Sequence, residues 1–141
     1  WVRVGGGASY GGAIYYDAVA PYAGRSINAE GELTFTPIPA ASLAFAYQRA
    51  WFQEPTTRDV IFDDHILRAR AQFYITEALG TRFISEWNSA TDLVNLQAVI
   101  QYQPKPATTL FLGYQDGVET NPLSEPVPRG LFFKMSYLWR V

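Results

Sequence analysis

The single histidine, His65, stands in "FDDHILR" beside Asp63 and Asp64, where a metal or a general base would be sought first. As a metal centre the trio offers too few ligands at an unhelpful spacing. It would need Asp59 or a carboxylate from residues 116–129 to complete a shell. As the base of a hydrolase, His65 would need a serine nucleophile, and no nucleophile motif surrounds Ser85, Ser89 or Ser136. The glycine runs at 5–7 and 11–12 are followed by neither a helix start nor a lysine, so they are not a phosphate-binding loop. The plainer expectation is a solvated loop at His65, glycines that curve a sheet, and a chain without catalysis, metal or cofactor.

A second set of residues is more informative. Arg3, Glu30, Glu32, Arg68, Arg70, Arg82, Glu86 and Lys134 are five cations and three anions that recur at one parity of alternating segments. Arginine binds carboxylates bidentately, so such a set either fills a narrow interior with paired charges or lines an anion-preferring constriction. Both readings need strands to hold the charges on one side.

Period-two alternation recurs eight times. The segments are "WVRVGGGASYGGAIYYD" (1–17), "RSINAEGELTFT" (25–36), "SLAFAYQRAWF" (42–52), "HILRARAQFYIT" (65–76), "TRFISEWN" (81–88), "LVNLQAVIQY" (93–102), "TTLFLGYQ" (108–115) and "RGLFFKMSYLWRV" (129–141). The fourth is the clearest, with Leu67, Ala69, Ala71, Phe73 and Ile75 on one face and Arg68, Arg70, Gln72 and Tyr74 on the other. In the last, Leu131, Phe133, Met135, Tyr137, Trp139 and Val141 form an ungapped apolar face. Tight breaks at 37–41, 77–80 and 104–107 alternate with mostly longer, polar ones such as 53–64 and 116–129. Strands that run up and down, with short turns at one end and long loops at the other, are the habit of outer-membrane barrels.

Composition points the same way. Charged residues make up 17% of the 141, against the roughly 25% usual in soluble domains. Aromatics reach 16%, cysteine is absent, and no stretch approaches the ~20 apolar residues of a transmembrane helix. The net charge of −2, with Lys and Arg scattered, argues against nucleic acid. A spanning chain without a spanning helix is a closed barrel. A soluble barrel would have the same alternation with the apolar side inward. Here that would crowd large side chains from eight strands into a small lumen and leave an outer surface with only Lys105 and Lys134 as lysines. The charged parity is therefore expected inward. Leu67, Ala69, Ala71, Phe73, Ile75, Leu131, Phe133, Met135, Tyr137 and Trp139 are expected to face lipid, with Tyr16, Tyr102, Tyr114 and Trp139 as interfacial aromatics.

The second half, "ILRARAQFYITEALGTRFISEW", "LVNLQAVIQYQPKPATTLFLGYQ" and "RGLFFKMSYLWRV", resembles the C-terminal barrel region of a poorly characterised bacterial family. Members of that family often carry an N-terminal module similar to family-nine carbohydrate-binding domains. The resemblance covers residues 65–141, and no such module is present in these residues. It implies location and fold, and no reaction. The run 130–141 also resembles the C-terminal segment through which the barrel assembly machinery recognises its clients.

The expectation is thus an all-β, up-and-down antiparallel transmembrane β-barrel of eight strands over 1–141, or the C-terminal part of a larger barrel. The chain starts at Trp1 with no signal peptide, which reads as a mature form or a fragment. Its place would be the bacterial outer membrane, in contact with the bilayer and lipopolysaccharide, as an anchor or loop-presenting scaffold. The alternatives are a narrow pore lined by the charge set and a soluble barrel binding an apolar ligand.

Overall fold

In the computed structural model, residues 1–16, 21–119 and 129–138 are described. They form eight strands and no helix: β1 (Val2–Tyr15), β2 (Tyr22–Ile38), β3 (Ala41–Gln53), β4 (Val60–Tyr74), β5 (Leu79–Asn88), β6 (Leu93–Lys105), β7 (Thr108–Glu119) and β8 (Gly130–Tyr137). Each pairs antiparallel with its sequence neighbour in one sheet, ordered β1 to β8. The sheet is not closed: among the described residues β1 and β8 are not paired, and each presents a free edge.

Register fixes which side chains share a face. One row of partners runs across the whole sheet: Val2, Phe35, Leu43, Ala71, Phe83, Ala98, Tyr114 and Leu131. The next row holds Arg3, Thr34, Ala44, Arg70, Ile84, Gln97, Gln115 and Gly130. Because side chains alternate, the first row lies on the apolar face and the second on the polar one.

The sheet curls toward the polar face. Phe52 is 2% exposed and Val99 6%, and both belong to the polar parity, as do the buried glycines 24, 80 and 113. On the apolar face large side chains stand uncovered: Val4 is 75% exposed, Leu131 76% and Phe133 68%. Small concave residues let the curvature develop, and two glycines are required there by close approach. A Cβ at Gly24 would lie 2.3 Å from the Phe52 ring, and one at Gly113 2.0 Å from the ring of Phe132, its partner on β8. Rings laid over cross-strand glycines pack tightly while the backbone bends.

The strands are longer than the alternation alone indicates, and two expectations are corrected. The span 53–64, read as a loop, contains the start of β4: only residues 54–59 leave the sheet. Residues 60–64 join because Asp63 receives Arg49 from β3 and Phe62 stacks on Phe52, with ring centroids 5.7 Å apart. His65 therefore lies within β4, not in a loop. The β5–β6 connection spans 89–92 and ends on Asp92 in a left-handed conformation, φ 52°. It is as tight as the turn at 75–78, so long and short connections do not alternate strictly.

Candidate functional site: the concave face and its rim

All eight charged residues singled out by parity, Arg3, Glu30, Glu32, Arg68, Arg70, Arg82, Glu86 and Lys134, lie on the concave face by register. They do not all meet. Arg68 and Glu86, direct cross-strand partners, form the one ion pair within the set among the described residues, with Arg68 Nε donating to Glu86 at 2.6 Å. Arg3 instead lies over the Trp1 ring, 5.1 Å from its centroid. Glu30, Glu32, Arg70, Arg82 and Lys134 make no ion pair among the described residues. The set is a charged surface with one locked pair at its centre.

Two cavities open on this face. The larger, about 520 Å³, is lined by Ser9, Asn28, Glu30, Gln48, Asp64 and Ile66 among others. A second, about 310 Å³, lies between the β1 glycines, Glu32, Ala46 and Arg68. Gly7 in the first and Gly5 in the second contribute no side chain to the β1 wall, which leaves space for both.

Above them, at the end of the strands where the 16–21 and 54–59 connections lie, four rings converge. The Tyr15 ring lies tilted 5.5 Å from both Tyr22 and Phe52, and Phe52 stacks 5.7 Å from Phe62. β1 and β2 supply the tyrosines, and β3 and β4 the phenylalanines, all at concave parity. This cluster covers the concave side of β1–β4 at that end, and sequence reasoning missed it. Its signal was present in Tyr15 and Tyr22, which share the parity of the polar side, but Phe62 was read as loop.

His65 belongs to a different place. It lies on the convex face with Nδ1 2.8 Å from the Tyr47 hydroxyl and Nε2 3.3 Å from Asp63, which Arg49 grips bidentately at 2.7 and 2.8 Å. Ser89 touches only its backbone, accepting a hydrogen bond from the His65 N–H at 2.8 Å. The imidazole thus faces a tyrosine and a carboxylate. Among the described residues no three His, Cys, Asp or Glu side chains are grouped to hold a metal. A matching cluster lies on β7, where the Tyr114 hydroxyl donates to Asp116 at 2.9 Å and Arg129 approaches the same carboxylate at 2.7 Å.

Leu67, Ala69, Ala71, Phe73, Leu131, Phe133, Met135 and Tyr137 share the convex face; Ile75 lies in the turn after β4, 65% exposed, and Trp139 lies outside the described residues. The apolar stretch from Leu67 on β4 to Ile75, the first residue of the turn that follows, is bounded above by His65 and Asp63. Eight steps span roughly 26 Å along a strand, or about 20 Å across a layer if the strand tilts by ~40°. That is close to the ~25 Å band of a barrel that crosses an outer membrane. Tyr16 stands 81% exposed at the upper rim, and Tyr102 and Tyr114 also stand out from the sheet. The interior of the 116–129 segment, 120–128, falls outside the described residues. No protein-family model matches the chain, and no curated protein or solved structure is significantly similar to it.

Proposed function

We propose that this chain is an outer-membrane β-barrel that anchors or presents surface segments and has a sealed lumen. The observation that carries the reading is the convex face: an uncovered apolar band across all eight strands, bordered at one end by Arg49, Asp63, His65, Asp116 and Arg129. In water such a patch far exceeds what a soluble monomer leaves exposed. In a bilayer the band is buried by lipid, and the charged and tyrosine-rich rim lies at headgroup level. The resemblance of residues 65–141 to a bacterial barrel region agrees with this.

The Tyr15–Tyr22–Phe52–Phe62 cluster supports an anchor over a channel, since it covers the concave side of β1–β4 beside the 16–21 and 54–59 connections, where it would narrow the lumen of a closed barrel. A pore remains the second reading because Arg70 and Arg82 point into the concave side without an anionic partner among the described residues. Protein refolded into liposomes and run unboiled should migrate as a compact, protease-resistant band that shifts on boiling. In planar bilayers it should conduct no ions. Solubility without detergent and no shift would end the membrane reading, and steady anion conductance would replace the anchor with the pore.

A further inference from the structure

β1 and β8 end the sheet on two rows of unpaired backbone groups. In water such edges invite pairing, and in hydrocarbon they cannot be left open. We infer that β1 and β8 close on each other in one register, Gly12 opposite Leu131, and that Lys134 then meets Glu30 across the glycines of β1. This rests on the membrane-barrel reading above.

The register follows from the stagger already in the sheet. Along the row that joins Val2 to Leu131, Val2 lies at the lower end of β1, whereas Leu131 lies at the upper end of β8. Measured from that row, the strand centres descend by about nine residues over the seven steps from β1 to β8. One further step of the same size makes the total offset about ten, which carries Leu131 from the level of Val2 to that of Gly12. The tilt gives the same answer. With eight strands ~4.8 Å apart and a rise of ~3.3 Å, an offset of ten corresponds to a tilt of about 40°, the middle of the usual range. Parity also agrees: even positions of β1 and odd positions of β8 are the apolar ones, so an even offset keeps both faces continuous.

Side chains across this seam are complementary. Phe132 falls opposite Gly11, repeating the ring-over-glycine packing it makes with Gly113 on its other side. Phe133 falls opposite Tyr10, an aromatic cross-strand pair on the convex face. The charges fit too. Glu30 leans over β1 toward the open edge, for a Cβ at Gly7 would lie 3.5 Å from its Oε1. Lys134 arrives beside Ser9, one diagonal step away, and neither Lys134 nor Glu30 has an ion-pair partner among the described residues.

The chain has no cysteine, so introduced pairs are the only thiols. Three double variants, Gly12→Cys, Tyr10→Cys and Ile14→Cys, each with Leu131→Cys, are refolded into liposomes, oxidised and run with the cysteine-free parent. Directly opposed residues lie ~4.5–5.5 Å apart and bridge, whereas partners two residues off lie ~7–8 Å apart and do not. The Gly12→Cys pair should therefore form an intramolecular disulfide several-fold more completely than the other two. A stronger yield at Tyr10 or Ile14 overturns the register. Dimeric cross-links alone, or none, in all three variants, while the parent still shows the heat-dependent shift, overturn the closure and leave the barrel reading with other strands between the edges. Loss of the shift in the parent sinks the barrel reading, and the seam with it. For the ion pair, Lys134→Glu should lower the fraction that refolds to the compact band, and adding Glu30→Lys should restore it. Independent, additive losses overturn the pair.

Discussion

Ala71 lies where the facing of the sheet can be measured. It occupies the row that crosses all eight strands, flanked by Leu43 and Phe83, four residues from each end of the Leu67–Ile75 apolar stretch. At that depth an arginine on the lipid side costs about 2–4 kcal/mol, because the guanidinium must be held roughly 10 Å from either interface. Ala71→Leu on the same surface should be neutral or slightly stabilising, since lipid accommodates the added methyl groups without a steric limit. Gln72→Arg moves the same charge to the concave face. There its neighbour on β5 is Arg82, and repulsion across the strands costs a few tenths of a kcal/mol up to ~1. The assay is urea unfolding in vesicles followed by fluorescence, for which the four tryptophans are a built-in probe. Each environment leaves its own pattern. In lipid, Ala71→Arg is costly and Ala71→Leu is not. In water, both lie within about ±0.5 kcal/mol. Packed in an interior, both destabilise, the leucine by about 1–3 kcal/mol through crowding. Either of the last two patterns refutes the assignment of the convex face to lipid.

Gly113→Ala should destabilise by about 1–3 kcal/mol, because its Cβ would occupy the space of the Phe132 ring; the same change in a Phe132→Ala background should cost far less, as a double-mutant cycle by urea unfolding would register. Phe52→Ala should cost about 3 kcal/mol by the same measurement, since Phe52 is 2% exposed at the centre of the aromatic cluster, and Phe52→Ala with Phe62→Ala should introduce ion conductance in planar bilayers if the cluster is the seal. Glu86→Gln should cost no more than ~1 kcal/mol in urea titrations at low salt, with the deficit shrinking at high salt. The side chains of Arg68 and Glu86 are 49% and 26% exposed, so solvent screens the pair.

Faces were legible in the sequence and ends were not. Alternation on a strand is strictly two-fold, so one glance at residues 65–76 separates Leu67, Ala69 and Ala71 from Arg68, Arg70 and Gln72, and the register keeps that separation across every strand. Strand ends carry no such periodic signal. Asp63 and Asp64 looked like loop chemistry because a carboxylate on an apolar parity breaks the pattern; the pattern resumes only once Arg49, fourteen residues earlier on β3, is seen opposite. Contacts within a face were equally hidden. Parity placed Arg68, Arg70, Arg82, Glu30, Glu32 and Glu86 together, but an ion pair also needs adjacent strands and matching rungs, and only Arg68 with Glu86 meets both conditions.

The same alternation explains why the polar face is the concave one. A curling sheet compresses one side and expands the other, so the compressed side must carry less volume. Gly5, Gly7, Ser9, Ala44, Ala46 and Ala50 supply that economy on β1 and β3, while Leu33, Phe35, Phe45, Tyr47 and Phe83 occupy the expanded side. A soluble barrel needs the reverse, with bulk inside to exclude water and small or polar residues outside. Of the large rings at concave parity, Tyr15, Tyr22, Phe52 and Phe62 cluster on β1–β4 beside the 16–21 and 54–59 connections, while Tyr74, Phe111 and Phe132 stand on the same face elsewhere, Tyr74 over Gly80 and Phe132 over Gly113. On β1 and β3 the small residues leave room for water around Glu30 and Glu32, which make no ion pair among the described residues. Rings thus stand on the concave face toward both ends with the charges between them, and in the barrel proposed above that arrangement favours a filled lumen over an open passage.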